Sequence, residues 1–125
     1  MAYNVPDLRA FAAALTAHAR HRVVVELTAE HPTAWTSPYW AAPHGLTQPD
    51  HPVAGDAVAV LSDLGLDVHQ ERWRRGYQMI GETGDEALLR ITRRLCVPPD
   101  RHDELREALA STPPPADREV VTLWW

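Results

Sequence analysis

The stretch Val23-Val24-Val25-Glu26-Leu27-Thr28 decides the fold class of this chain. Three consecutive β-branched valines, one charged residue and two further strand-compatible residues predict a β-strand over positions 23–28. Its first four positions do not alternate between apolar and polar side chains. A strand that is apolar on both sides is typical of a sheet covered on both faces, as in parallel α/β proteins. We therefore expect an α/β fold with this strand buried in it.

Length and composition favour one globular domain over residues 1–125. A chain of this size buries roughly two thirds of its unfolded surface, which is enough for a real core. Apolar residues make up 45% of the chain, and the net charge of −5 argues against a nucleic-acid partner. No apolar run approaches the roughly 20 residues that span a bilayer, and the N-terminus shows no signal pattern. We expect a cytoplasmic protein with no membrane contact.

The cysteine and histidine content predicts no metal site. One cysteine excludes an internal disulfide and a cysteine-based zinc site. Cys96 ends an apolar helical pattern, so a buried free thiol is favoured over a nucleophile. His18 and His21 are three residues apart on a predicted helix, but no third ligand accompanies them. We interpret both as solvated residues at a helix end.

Helical spacing of apolar residues predicts several helices. The first follows a short segment that is compatible with the end of a strand, and Asn4 is its predicted N-cap, with Asp7 as the acidic half of a capping box. Gly65 is placed to end the second helix in a left-handed conformation. The predicted helices cover residues 8–22, 53–64, 85–96 and 101–110.

Two further strands are predicted, at residues 68–73 and 119–125. In the strand at residues 68–73, polar side chains occur on both faces. It is the more polar of the two strands, which indicates a sheet edge. The second ends in Trp124 and Trp125, whose rings need cover from helices or from another chain. Between them, Tyr77, Met79 and Ile80 are predicted to form a short edge segment or a turn.

Residues 29–52 are predicted to form a long loop that contains five prolines and the aromatic residues Trp35, Tyr39 and Trp40. Loops of this length inside a domain are often lids or binding loops. The rings either cover the core beneath the loop or line an apolar ligand pocket, and the sequence leaves both open. The loop also carries three histidines, for which surface or hydrogen-bonding roles are favoured over catalysis: His31, His44 and His51.

The ordered set of elements resembles the C-terminal half of a class I S-adenosylmethionine-dependent methyltransferase. The residues that carry this resemblance are Tyr3-Asn4-Val5-Pro6-Asp7-Leu8, Ala19-Arg20-His21-Arg22 with the strand 23–28, Ala57-Val58-Ala59-Val60-Leu61 with Leu64-Gly65-Leu66, and Arg118-Glu119-Val120-Val121-Thr122-Leu123-Trp124-Trp125. The resemblance implies that residues 23–28, 68–73 and 119–125 match strands five, six and seven of that family. The expected fold is then a partial Rossmann-like sheet of three main strands in the order 5-7-6, with the last strand antiparallel and flanking helices.

The resemblance also implies S-adenosylmethionine as the cofactor. That family binds it with a glycine-rich loop after its first strand and an acidic residue at the end of its second. No Gly-x-Gly-x-x-Gly arrangement occurs in this sequence. We therefore expect a substrate-side half that is inactive alone.

Candidate substrate-binding residues follow from the resemblance and from a general rule. Ligands of open α/β sheets lie beyond the carboxyl ends of the strands. The first rim would carry Tyr3 and Asn4, and the next Glu26, Thr28 and His31. The loop with Trp35 and Trp40 would fold over the opening. For Glu26 a surface or salt-bridged role is slightly favoured over substrate contact, and no catalytic residue is assigned.

Two other functions remain open from the sequence. One is a non-catalytic interaction or dimerisation domain derived from such an enzyme, and the other is a small-molecule binding module that uses the tryptophan-rich loop. In either leading case, residues 23–28 would leave one sheet edge unpaired. Such edges pair readily with other chains. We expect a homodimer or a separate cofactor-binding half at this edge.

Overall fold

In a computed structural model the chain is described for residues 2–76 and 85–125. Short 3₁₀ turns occur at Ala2–Asn4, Ala34–Thr36 and Pro99–Arg101. The helices of this part are α1 (Leu8–His18), α2 (Ser37–His44), α3 (Ala54–Asp63), α4 (Asp85–Arg94) and α5 (His102–Ser111). The strands are β1 (Val24–Thr28), β2 (His69–Gly76) and β3 (Asp117–Trp124). The predicted edge segment at Tyr77, Met79 and Ile80 lies outside the described residues.

The three strands form one open sheet in the order β1-β3-β2. β3 runs antiparallel to β1, with Val24 opposite Trp124 and Thr28 opposite Val120. β2 also runs antiparallel to β3. His69, at the start of β2, stacks on Trp124 at the end of β3, and Trp73, further along β2, donates a hydrogen bond to Thr122, which lies earlier in β3. The predicted mixed α/β class and the position of the last strand between the other two are confirmed.

Contacts divide the described chain into two compact units. The first unit comprises residues 2–31, 50–75 and 118–125, and the second comprises residues 32–49, 76 and 85–117. The buried core of the first unit consists of Ala12, Leu27, Ala54, Ala57, Leu61, Val121 and Leu123. The buried core of the second unit consists of Tyr39, Ile91, Leu95, Val97 and Leu105.

The expectation that β1 is covered on both faces is wrong. Leu27 is buried and Val25 half-buried, whereas Val24 is 62% exposed and Glu26 is exposed. Successive side chains of a strand point to opposite faces. One face of β1 therefore meets α1 and α3, and the other is open to solvent despite its run of valines. The predicted edge position of β2 is confirmed, because every residue of that strand is exposed.

The first turns of the chain also differ from the sequence-based prediction. Ala2–Asn4 is a 3₁₀ turn, and the N-cap of α1 is Asp7, whose carboxylate accepts from the Ala10 N–H at 2.9 Å. The cap prediction at Asn4 was therefore wrong by three residues. An aspartate in extended conformation satisfies a free helix-end donor as well as an asparagine does. By contrast, Gly65 adopts the predicted left-handed conformation, with φ of 76°, after α3.

The predicted long loop contains a helix. Residues 37–44 form α2, with Pro38 in its first turn, where the missing N–H has no intrahelical partner. Tyr39 is 1% exposed in the core of the second unit, so tertiary packing supplies the stability that local sequence does not signal.

The expectation of a buried thiol at Cys96 is wrong, because Cys96 is exposed. It lies just after α4 with φ of 53°, between the buried residues Leu95 and Val97. This left-handed turn lets both neighbours reach the core and leaves the thiol outside, with Sγ 3.8 Å from the Arg93 carbonyl.

Candidate functional site

A pocket of about 210 Å³ opens at the carboxyl end of β1 in the first unit. We call it the Tyr3 pocket. The N-terminal segment, the end of β1 and the start of α3 supply its walls. Its lining residues are Tyr3, Val5, Leu8, Leu27, Pro52, Val53, Asp56, Ala57 and Val60. Apart from the Tyr3 hydroxyl and the Asp56 carboxylate, these side chains are apolar, so the pocket suits a small apolar molecule with one polar group.

Tyr3 forms one wall of the pocket and is fixed from two sides. Its hydroxyl donates a hydrogen bond to the carbonyl oxygen of Thr28, and its ring lies edge-on to His31 with a centroid distance of 5.3 Å. Burial raises the pKa of Tyr3 above its ordinary value, so the hydroxyl remains a hydrogen-bond donor at neutral pH. The structure thus brings together three of the predicted site residues, Tyr3, Thr28 and His31.

Asp56 supplies the charged group of the pocket from the first turn of α3. Its Oδ2 accepts from the Val53 N–H at 2.7 Å and lies 2.9 Å from Nδ1 of His51. The hydrogen bond from His51 lowers the pKa of Asp56, and the Val53 N–H adds to this. The same hydrogen bond raises the pKa of His51. α3 is held at this sheet end because the Ala54 N–H donates to the Ala29 carbonyl at 2.8 Å.

The pair of His51 and Asp56 makes the stability of this corner dependent on pH. The His51 contribution is complete below the unfolded pKa of about 6.5 and is lost as pH rises through the higher folded pKa. The Asp56 contribution is present above about 3.8 and is lost as pH falls through the lower folded pKa. The pair therefore stabilises the fold most between these two limits.

We expect a proton NMR titration of the His51 ring to give a midpoint above 6.5 in the native chain. In Asp56→Asn the midpoint should fall toward that value, because the carboxylate charge and its acceptor strength are lost. An unchanged His51 midpoint in Asp56→Asn would contradict the pairing.

Two other predicted site residues of the first unit lie outside this cluster. Asn4 is exposed in the 3₁₀ turn. Glu26 lies on the open face of the sheet, where its Oε2 is 2.9 Å from Arg75. The Arg75 guanidinium also stacks 4.6 Å above the Trp73 ring. Glu26 therefore has the salt-bridged role that the sequence slightly favoured.

Trp35 and Trp40 belong to the second unit and pack against its core. Trp35 lies edge-on to Tyr39 with a centroid distance of 6.0 Å, and Nε1 of Trp40 donates to the Thr36 hydroxyl at 3.2 Å. These contacts agree with the interpretation that the two rings cover the core. The ligand-pocket interpretation of the two tryptophans stays a prediction.

Sequence reasoning missed the contribution of residues 51–57 to the site. The sequence favours a surface or hydrogen-bonding role for His51, and it predicts a helix over residues 53–64 without assigning that helix to the site. A signal was present, because an acidic residue at the start of a helix just after a histidine can cap the helix and pair with the ring. What local sequence does not contain is the approach of this helix start to Ala29 and Tyr3.

The described residues contain neither a side-chain cluster suited to a metal ion nor a helix suited to span a bilayer. Within residues 2–76 and 85–125, no three His, Cys, Asp or Glu side chains are grouped so as to hold a metal ion. In the same part of the chain, no helix combines the length and the apolar character needed to cross a bilayer. No family model matches the chain, and neither curated proteins nor solved structures gave a match.

Proposed function

We propose that this chain is the acceptor-side half of a class I S-adenosylmethionine-dependent methyltransferase fold. In this proposal the Tyr3 pocket holds a small, largely apolar methyl acceptor. The single observation that carries the proposal is the sheet order β1-β3-β2 with a pocket at the carboxyl end of β1. A Rossmann-like identity for the sheet is part of the proposal.

The strand directions support this interpretation. β3 pairs antiparallel with β1, and β2 flanks β3 on its other side, which is the arrangement of the last three strands in the family that the sequence resembles. α1 precedes β1 and α3 follows it, and both pack on the same face of the sheet. In open α/β sheets, ligands bind beyond the carboxyl ends of the strands, which is where the Tyr3 pocket lies.

The size of the pocket selects the class of ligand. An apolar cavity of roughly 150 Å³ admits benzene, and pockets that enclose drug-sized ligands measure roughly 300–1,000 Å³. At about 210 Å³, the Tyr3 pocket suits a molecule of one ring with a short substituent. An acceptor hydroxyl or amine would donate to the Asp56 carboxylate, which has acceptor capacity beyond its bonds to His51 and Val53.

The described residues do not fit the cofactor itself. S-Adenosylmethionine carries an adenosine as well as a methionine group, which is too large for this pocket, and the sequence has no glycine-rich loop. In this proposal the cofactor is therefore bound by residues outside these 125, and no step of methyl transfer is assigned to a residue here.

The test uses phenol as the probe, with NMR shifts as the readout. We expect phenol to shift the amide signals of Leu27 and Val53, because its ring fits the apolar walls and its hydroxyl can donate to Asp56. Val60→Phe should remove these shifts, since Val60 is half-buried in the pocket wall and the larger ring fills the space. Ala59→Phe is the matched control, because Ala59 is the exposed neighbour on the same helix.

A calorimetric titration with S-adenosylmethionine completes the experiment. We expect no measurable heat with this chain alone. Micromolar binding would mean that the chain holds a cofactor site, and the half-site proposal would then be wrong. Absence of phenol shifts in the native chain, or shifts that survive Val60→Phe, would overturn the acceptor role of the pocket.

A further inference from the structure

The two edges of β1 differ in their hydrogen bonds. Val23 and Trp125 exchange backbone hydrogen bonds of 3.0 and 3.2 Å, and the Ala29 N–H donates to the Glu119 carbonyl at 2.9 Å. In an antiparallel ladder such pairs recur at every second residue. The odd-numbered residues of β1 therefore bond to β3, and the backbone groups of the even-numbered residues point to the other edge.

This second edge, at Val24, Glu26 and Thr28, is largely unpaired within residues 2–76 and 85–125. The Thr28 carbonyl accepts from the Tyr3 hydroxyl. Among the described residues, none bonds to the outward N–H and C=O groups of Val24 or Glu26. In the sheet order β1-β3-β2 no described strand lies on this side of β1, so within the described residues the edge is open to another strand. An accessible strand edge of this kind is a ready template for strand pairing.

The surface beside this edge is apolar. Phe11 on α1 is 39% exposed. It lines a small cleft together with Leu15 and Val25, so apolar surface continues from the helix to the strand. Phe11 lies on the face of β1 that α1 covers, whereas the exposed Val24 lies on the open face, so apolar side chains flank this edge on both faces.

We propose that the free edge of β1 pairs with the same edge of a second copy of this chain. The strands are antiparallel and related by a two-fold axis, with Val25 of each copy directly opposite Val25 of the other. Val24 of each copy then faces Glu26 of the other. These two pairs exchange about four backbone hydrogen bonds, which use the outward groups that the described chain leaves unpaired.

A register with Glu26 opposite Glu26 is disfavoured for two reasons. Like charges directly opposite each other on antiparallel strands are destabilising. That register would also pair Val24 with Thr28, whose carbonyl already accepts from Tyr3. In the proposed register Glu26 meets a valine and keeps its ion pair with Arg75.

A second copy is the occupant favoured by this geometry, because antiparallel pairing about a two-fold axis is self-complementary. The two-fold axis is perpendicular to the sheet, so corresponding faces of the two copies lie on the same side. Both α1 helices then lie on the same face of a continuous six-stranded sheet, with the Phe11 surface of each copy beside the seam. Strand pairing alone would bury little surface area, and apolar surface of α1 adds to the area that the dimer buries.

The test is sedimentation velocity of the full chain at micromolar concentrations, with charged substitutions at one exposed position. We expect the native chain to dimerise. Val24→Glu should weaken the dimer about tenfold, because it places a carboxylate opposite Glu26 twice per dimer. Val24→Lys should bind at least as tightly as the native chain, because it places a cation there instead. Both substitutions lie at a solvent-exposed site, so far-UV circular dichroism should show the native fold.

A second variant tests the backbone contact itself. Val24→Pro removes an outward N–H that β3 does not use, and proline is tolerated on edge strands in this position. We expect it to be folded and monomeric. The proposal is overturned by a native chain that stays monomeric, which would leave the edge to a different chain. It is equally overturned by a dimer that responds alike to Val24→Glu and Val24→Lys. The dimer uses the edge at which a separate cofactor-binding half would otherwise pair, so it describes these 125 residues without that half. Phenol binding reports on the Tyr3 pocket alone and would be unaffected by failure of the dimer.

Discussion

Leu123→Ala is expected to lower the free energy of unfolding by about 2–5 kcal/mol. Leu123 is 1% exposed and lies on β3, the middle strand of the sheet, in the core of the first unit. Truncation removes buried methyl groups and leaves a cavity that neighbours on both adjacent strands cannot fill without breaking ladder bonds. Urea unfolding followed by circular dichroism measures the change.

Leu46→Ala is the matched control for this prediction, because Leu46 is 54% exposed. The same chemical change at an exposed site should alter the free energy by less than about 0.5 kcal/mol. If Leu123→Ala cost no more than Leu46→Ala, the assignment of Leu123 to the core would be wrong.

Tyr39→Ala is expected to destabilise the second unit by about 3–5 kcal/mol, the range for large aromatic truncations. Tyr39 is 1% exposed, packs against Leu95 and Leu105, and donates its hydroxyl to the Thr112 carbonyl. Tyr39→Phe keeps the ring and loses only this hydrogen bond, so it should cost about 1 kcal/mol.

The two Tyr39 variants separate packing from hydrogen bonding in the same site. Amide hydrogen exchange over α5 reports the loss, because Thr112 directly follows that helix. Equal protection of α5 in the native chain and in Tyr39→Ala would show that the ring does not hold α2 to α5.

Much of the sheet could be predicted because its signals are local. The valine run at β1, the polar alternation of β2 and the Val-Val-Thr-Leu-Trp run of β3 each identify a strand without any contact information. Gly65 similarly identifies the end of α3, because a left-handed residue there favours glycine. The open face of β1 could not be predicted, since a run of three valines is the same whether its alternate residues meet helices or water.

α2 was missed for a physical reason. Pro38 and Pro43 lie inside its range, and proline usually interrupts a helical pattern. Tertiary packing of Tyr39 outweighs that local preference.

The candidate site was predictable only in part. The family resemblance and the rule that ligands lie at strand ends predict Tyr3 at one rim and Thr28 and His31 at the next, and Tyr3 contacts both of these residues. His51 and Asp56 join them through the start of α3, about 25 residues further along the chain. No local pattern records that approach, because it depends on how the intervening residues fold.

The position of β3 between β1 and β2 has a consequence for the biosynthesis of this protein. Among the described strands every ladder bond has one end on β3, and Val24 pairs with Trp124, which lies far along the chain. On the ribosome, β1 and β2 therefore cannot join each other through β3 until β3 has emerged, so these three strands assemble only after residue 124 has been translated. Contacts between such distant residues form slowly, so we expect this three-stranded arrangement to form later in synthesis than a sheet built from hairpins would.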